Sequence, residues 1–286
     1  MLATFVIGLR EGLEASLIVG IIAGFLARRG DRAALRPMWA GVALAVLICF
    51  AVAVVLETVS ADLPQQEQEG LETVIGVVAV AMISYMIVWM RKHSRAMRGE
   101  LERAAESALA RGSTWALVAM AFLAVLREGF ETTVFLLAAF SSTTSPAAAG
   151  GGAALGIVLA VAIGYGIYRG SVRINLSRFF RITAAFLVLV AAGLLAGAVH
   201  TAHEATWLNA GQQQVADLSG VVRPGTPVSS LLTGVLGIQP FPVVAELVVW
   251  VLYLVPMLAF VLWPQRRPSS PPASGAPVAP TASSPA

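Results

Sequence analysis

Residues 9 to 14 read Leu9-Arg10-Glu11-Gly12-Leu13-Glu14, in the middle of an apolar run over residues 2–27 that is long enough to span a bilayer. The phrase returns 117 residues later as Leu126-Arg127-Glu128-Gly129-Phe130-Glu131, again inside a long apolar run. On an α-helix Arg10 and Glu14 are i,i+4 neighbours and Glu11 and Glu14 are i,i+3 neighbours, so the three charged side chains share one arc of the circumference. A charged side chain at the centre of a spanning helix costs about 2.5–3.5 kcal/mol, so six cost on the order of 15 kcal/mol before pairing. Neutral packing requires no such arrangement.

Charge counting separates two explanations. If each arginine pairs with the glutamate four residues on, Arg10 with Glu14 and Arg127 with Glu131, the motifs are self-neutralising ion pairs that hold helices together. That purely structural reading leaves Glu11 and Glu128 over. Two surplus carboxylates in a dry setting must carry a proton or be neutralised by a bound cation. Intramembrane ionisable groups are functional by default, and the expectation is a cation or proton site where the two motifs meet.

The rest of the chain fits a membrane protein. Of 286 residues, 57% are hydrophobic and 12% charged, the latter about half of what a soluble domain carries. Apolar runs near 2–27, 37–57, 70–91, 114–140, 152–169, 179–200 and 243–263 predict about seven spanning helices in an all-α polytopic fold. The first run lacks a basic flank and contains the motif, so it reads as a retained helix rather than a cleaved signal. It carries Gly8, Gly12, Ser16, Gly20 and Gly24 at every fourth position, a ridge of small residues that lets neighbours approach and enclose it. Cys49 is the single cysteine; it excludes a disulfide framework and reads as a small apolar residue.

Basic residues alternate between connections. Arg28, Arg29, Arg32 and Arg36 follow the first run, Arg91, Lys92, Arg95, Arg98, Arg103 and Arg111 the third, Arg169, Arg173, Arg178 and Arg181 the fifth, and Arg266 and Arg267 the last. The other connections hold only Arg223. The positive-inside rule then predicts an outside N-terminus and a cytoplasmic C-terminus, with Trp39, Trp89, Trp115 and Trp263 as a cytoplasmic aromatic belt in contact with lipid and Trp207 toward the outer end. With that topology the two motifs sit on oppositely directed helices, the signature of an inverted 3+3 repeat plus one helix. The predicted organisation is a transmembrane domain over 1–263, with repeats at about 1–95 and 112–203 and a last helix at about 243–263. A disordered, Pro/Ser/Ala-rich cytoplasmic tail over 264–286 follows, and 95–111 reads as a charged amphipathic helix.

The outer connections are acidic. Glu57, Asp62, Glu67, Glu69 and Glu72 form a stretch without a basic residue, a vestibule that would concentrate cations, with a plain solvated loop as the alternative. His200 and His203 at i,i+3, with Glu204 adjacent, have donors for a metal or form a polar helix end. Glu246 near the outer end of the last run is similarly open. Glu67, Glu69, Glu72, His200, His203, Glu204 and Glu246 are thus the entrance or secondary candidates.

The paired Arg-Glu-Gly-Leu-Glu and Arg-Glu-Gly-Phe-Glu motifs resemble the Arg-Glu-x-x-Glu motifs of the oxidase-dependent high-affinity iron permeases, fungal and bacterial. The resemblance covers most of the chain. It implies that Glu11, Glu14, Glu128 and Glu131 handle iron, with Arg10 and Arg127 as motif arginines, and that an external oxidase- or peroxidase-type protein is the partner. It implies no enzyme activity in the chain, no permanently bound cofactor and no nucleic-acid partner, with the iron ion as cargo. Four carboxylates make a hard-oxygen site that suits ferric iron and tolerates ferrous, manganese or magnesium ions, so the resemblance, not the ligand set, selects iron. Another cation, such as lead or manganese, is the first alternative. A proton-coupled carrier using the glutamates as relays is the second, and an intramembrane metalloenzyme on His200, His203 and Glu204 the third, weakened by the absence of a His-Glu-x-x-His spacing.

Overall fold

The computed structural model describes residues 1–28, 30, 32–93, 114–141, 143, 145–169, 175–218, 220, 222, 226, 232–233 and 235–263. The charged segment 95–111, Arg223 and the tail 264–286 lie outside them. Among the described residues seven long helices follow one another: α1 (Leu2–Arg28), α2 (Leu35–Ala61), α3 (Gln65–His93), α4 (Thr114–Ser141), α5 (Pro146–Tyr168), α6 (Leu176–Glu204) and α7 (Val244–Leu262). Their ends run a few residues past most of the apolar runs, because polar and charged residues can finish a helix outside the hydrocarbon. Five of them, α2, α3, α5, α6 and α7, are long and apolar enough to cross a membrane. α1 and α4 are as long, with 27 and 28 residues, but every 18-residue window in them contains three charged residues.

Small side chains decide which helices touch. α1 runs parallel to α5, with Gly8, Gly12 and Ser16 facing Ala153, Ala160 and Gly164 in step. A Cβ on Gly156 would stand 2.3 Å from the Phe5 carbonyl oxygen, so the two backbones are in direct contact. Gly20 faces open space, so the predicted ridge is interrupted there, although Gly24 beyond it is buried. α2 runs parallel to α4, with Gly41 against Val118 and Phe122, and Cys49 against Gly129. α3 and α6 are antiparallel: Gly76 meets Ala198, and the hydroxyls of Thr73 and Thr201 are 2.7 Å apart. α1 is enclosed as expected, none of residues 3–27 being exposed, whereas α2 presents Leu44, Leu47, Phe50 and Val55 outward as a lipid-facing helix would.

Two apolar clusters form the core. One joins Ile7 and Leu13 of α1 with Ile83, Phe135 and Leu187; the other joins Ile22 and Leu26 with Met38, Leu117 and Ala121. Along α4 the charged motif falls between the stretches that enter the two clusters, whereas on α1 Leu13, inside the motif, is itself part of the first cluster. Met1 packs beside Gly152, six residues into α5, so α1 begins about 9 Å along its neighbour. The motif therefore lies past the middle of α5, level with the last turn of α3. At that end Arg91 and Arg181 donate to the Trp263 and Leu262 carbonyls at 2.8 and 2.7 Å, closing α7.

The connection before α7 is not simply an outer loop. Leu232, Thr233 and residues 235–238 fold back against α6, where a Cβ on Gly193 would lie 2.7 Å from the Gly237 nitrogen. Gly193 is eleven residues before the end of α6, about 16 Å along it. The carbonyl of Leu236, a helical residue at the end of this stretch, accepts from Trp250 Nε1 at 2.8 Å, so a backbone group freed at the helix end is satisfied by protein.

Close backbone contact makes a clear stability prediction. Gly156→Ala forces α1 and α5 apart and costs about 1–3 kcal/mol as overpacking, whereas Gly20→Ala, with nothing within 4 Å, is neutral or stabilising. Unfolding midpoints in detergent check the pair, and equal midpoints would remove the claim that this contact holds α1.

Candidate metal centre

Helix periodicity places the motif charges, and packing decides their partners. Arg10 is 1% exposed and Glu11 1%. One terminal nitrogen of Arg10 donates to Glu11 Oε1 at 2.8 Å, and the other lies 3.0 Å from Glu14 Oε1. The same two nitrogens also touch the sulfurs of Met86 and Met90 on α3. Arg127 Nε donates to Glu131 Oε1 at 2.9 Å and stands 3.9 Å from Glu128 Oε1. Its side chain is 54% exposed, and its guanidinium lies over the Trp89 ring at 5.7 Å. Both i,i+4 pairs expected from the sequence are present, and Arg10 in addition holds Glu11.

The antiparallel packing of α1 on α4 brings the motifs together. Glu11, Glu128 and Glu131 each place a carboxylate oxygen within 4.8 Å of the others. Glu14 lies outside that tight group and belongs to the Arg10 pair. Glu11 Oε2 and Glu128 Oε2 are buried and accept no hydrogen bond. Two orphaned carboxylate oxygens in a dry three-carboxylate cluster are donors in search of positive charge, and a hard cation is the chemical match.

The other candidates collect elsewhere. His200 Nδ1 is 2.9 Å from the buried Glu246 Oε1, and its Nε2 is 3.6 Å from Glu204 Oε1. Glu69 is within hydrogen-bonding reach of Glu204, and Glu72 accepts from Gln68 at 3.4 Å. Glu67 is exposed in the first turn of α3. His203 does not join His200: its Nε2 donates to the Ala210 carbonyl at 3.1 Å. This outer group and the motifs share α3, and Glu72 and Met86 are fourteen residues apart, about 21 Å along the axis.

Sequence reasoning missed the face of α3 that holds the arginines. Met86, Trp89 and Met90 are at i, i+3 and i+4 and share one face, but such a stripe is indistinguishable from core until its neighbour is known. Trp89 is partly buried, with Arg127 over its ring, whereas Trp39, Trp115 and Trp263 are exposed, at 54%, 73% and 69%.

Comparison with known proteins agrees with this architecture. The sequence pattern of the iron permease FTR1 family matches residues 1–266. The ferrous iron permease EfeU of Escherichia coli strain UTI89 is 43% identical over 268 residues, covering 93% of this chain and 97% of that protein. The EfeU of Shigella sonnei is 42% identical with the same coverage, and that of Yersinia pestis is 41% identical, covering 93% and 95%. No solved structure matches the chain. With the family pattern running through nearly all of the sequence and relatives this similar along almost their whole length, the chain belongs to the iron permease FTR1 family and is a multi-pass membrane permease rather than an enzyme.

Proposed function

We propose that this permease imports iron ions through a carboxylate site built from its two Arg-Glu-Gly-x-Glu motifs, with Glu11, Glu128 and Glu131 as the primary ligands and Glu14 held in reserve by Arg10. The observation that carries the reading is the pair of buried, unpartnered oxygens, Glu11 Oε2 and Glu128 Oε2, in one cluster. Counting formal charges, four glutamates and two arginines leave minus two. A divalent cation neutralises the site, and burial makes that neutrality valuable. Ferrous iron, the cargo in the relatives' names, fits that count.

The same reading orders the rest of the molecule. Exchange of the first three helices with the second three turns the α1/α5 contact into the α4/α2 contact, and both pairs are parallel. The motif glycines follow suit: Gly12 meets Ala160 and Gly129 meets Cys49, each the fifteenth residue of its helix counted from Pro146 and Leu35. This supports an inverted repeat around the site, with the last helix added. The excess of arginine at the α3 and α7 C-terminal ends supports a cytoplasmic assignment for that side of the inner membrane, and an outside N-terminus. The group around Glu69, Glu72, Glu204 and His200 then faces the exterior as an entrance about 21 Å above the site, accessible to an external oxidase- or peroxidase-type partner.

Glu11→Gln and Glu128→Gln keep shape and hydrogen-bonding capacity while removing the charge that a cation needs. Each is expected to lower iron uptake at least about 100-fold, more than the loss of a typical outer-shell partner, with the protein still inserted and folded. Wild-type uptake by either variant at equal expression sinks the ligand assignment. Arg10→Lys retains the charge but loses the planar fork that holds Glu11 and Glu14 at once, and about a 10- to 100-fold loss is expected.

Neutralising Glu67, Glu69 and Glu72 together should slow uptake at low iron, with the deficit shrinking as iron concentration or ionic strength rises, because exposed charges act through a screened field. Uptake curves at two ionic strengths decide this. A loss that persists at every concentration would instead make these residues ligands or a docking surface.

A further inference from the structure

Arg10 carries more hydrogen-bonding capacity than its glutamates use. Each terminal nitrogen faces one carboxylate and one thioether: one hydrogen-bonds Glu11 and Met86, and the other hydrogen-bonds Met90 and forms an ion pair with Glu14 at 3.0 Å, while Nε is buried without a partner. Met86 and Met90 are 3% and 5% exposed, one turn apart on α3. A thioether is a weak, uncharged acceptor. It can occupy a guanidinium hydrogen without adding negative charge. A carboxylate in the same place would be a competitor for the cation, and a purely apolar side chain would leave the hydrogens free to take one. The oxygens within reach of such free hydrogens are those of the motif glutamates themselves, because no other carboxylate lies on the described helices at this level.

We infer that Met86 and Met90 are positioning residues for the iron site: by holding the outer hydrogens of Arg10 they limit it to one oxygen each of Glu11 and Glu14, and leave Glu11 Oε2 and Glu128 Oε2 to the cation. The inference rests on the carboxylate-site reading above. It also explains why α3, whose charged side chains all lie toward its two ends, passes the motif with a sulfur on each side of a buried guanidinium.

The test replaces both methionines with leucine, a swap of similar volume that cores tolerate but that removes the acceptor. Anaerobic ferrous-iron titration of the purified protein, with uptake curves in cells at matched expression, should show binding weakened about 10- to 100-fold, the range for loss of an outer-shell partner. The maximal rate should change far less than the half-saturating concentration. Met86→Gln with Met90→Gln, which restores an oxygen acceptor at similar reach, should recover most of the affinity. In an Arg10→Lys background the leucine pair should add little, since the residue it acts through is already altered. Single Met86→Leu and Met90→Leu variants, each expected to show part of the loss, carry the test if the pair does not fold. Wild-type affinity in the leucine variants, or the same loss with and without Arg10, overturns the inference. If those results appear while Glu11→Gln and Glu128→Gln abolish binding, the carboxylate site stands and only the positioning role falls; if the glutamine variants also bind normally, both fall.

Discussion

A guanidinium buried to 1% exposure between two carboxylates and two thioethers is the constraint around which this permease is built. Removing one partner of such a pair strands a charge in a dry interior and costs about 3–5 kcal/mol. The surroundings of Arg10 are therefore as constrained as the residue itself. α1 has to be enclosed on all sides, α5 has to come within backbone contact to exclude lipid, and α3 has to present acceptors that do not compete for positive charge.

The small residues and the charges are two sides of one requirement. In a bilayer no hydrophobic drive pushes helices together, so close packing depends on backbones that can approach. Gly152, Gly156 and Gly164 of α5 let α1 in, and the motif glycines Gly12 and Gly129 give the charged faces a packed back. The same logic governs residues 235–238, where Gly193 and Gly237, the latter at φ +65°, allow the end of a short helical stretch to lie against α6. Trp250 then takes up the Leu236 carbonyl that water would otherwise satisfy.

The two arginines of the repeated motif are not equivalent. Arg10 is sealed by sulfur, while Arg127 is half exposed, with its face on Trp89. On the proposed carboxylate-site reading, that asymmetry gives one half of the site more access than the other. The His200–Glu246 pair, at the level of Glu72 about 21 Å along α3, forms a second polar group.

The sequence by itself determined the membrane class, the number of helices, the i,i+4 ion pairs and the surplus of Glu11 and Glu128, because these follow from local period and from charge that cannot be cancelled within one helix. It also pointed to α1 as an enclosed helix, since a charged face and a glycine ridge leave no side for lipid. What it could not supply was anything that depends on which helix lies across the gap. Met86, Trp89 and Met90 look like core in one dimension and become arginine partners only when α3 crosses α1 and α4. Glu14 looks equivalent to Glu131 but is drawn out of the cluster by Arg10, and His203 looks like a partner of His200 but is claimed by the Ala210 carbonyl. The offset of α1 against α5 is set by interlocking glycines, not by where the chain begins. Those choices are made by contacts between residues distant in sequence, and only the packed structure contains them.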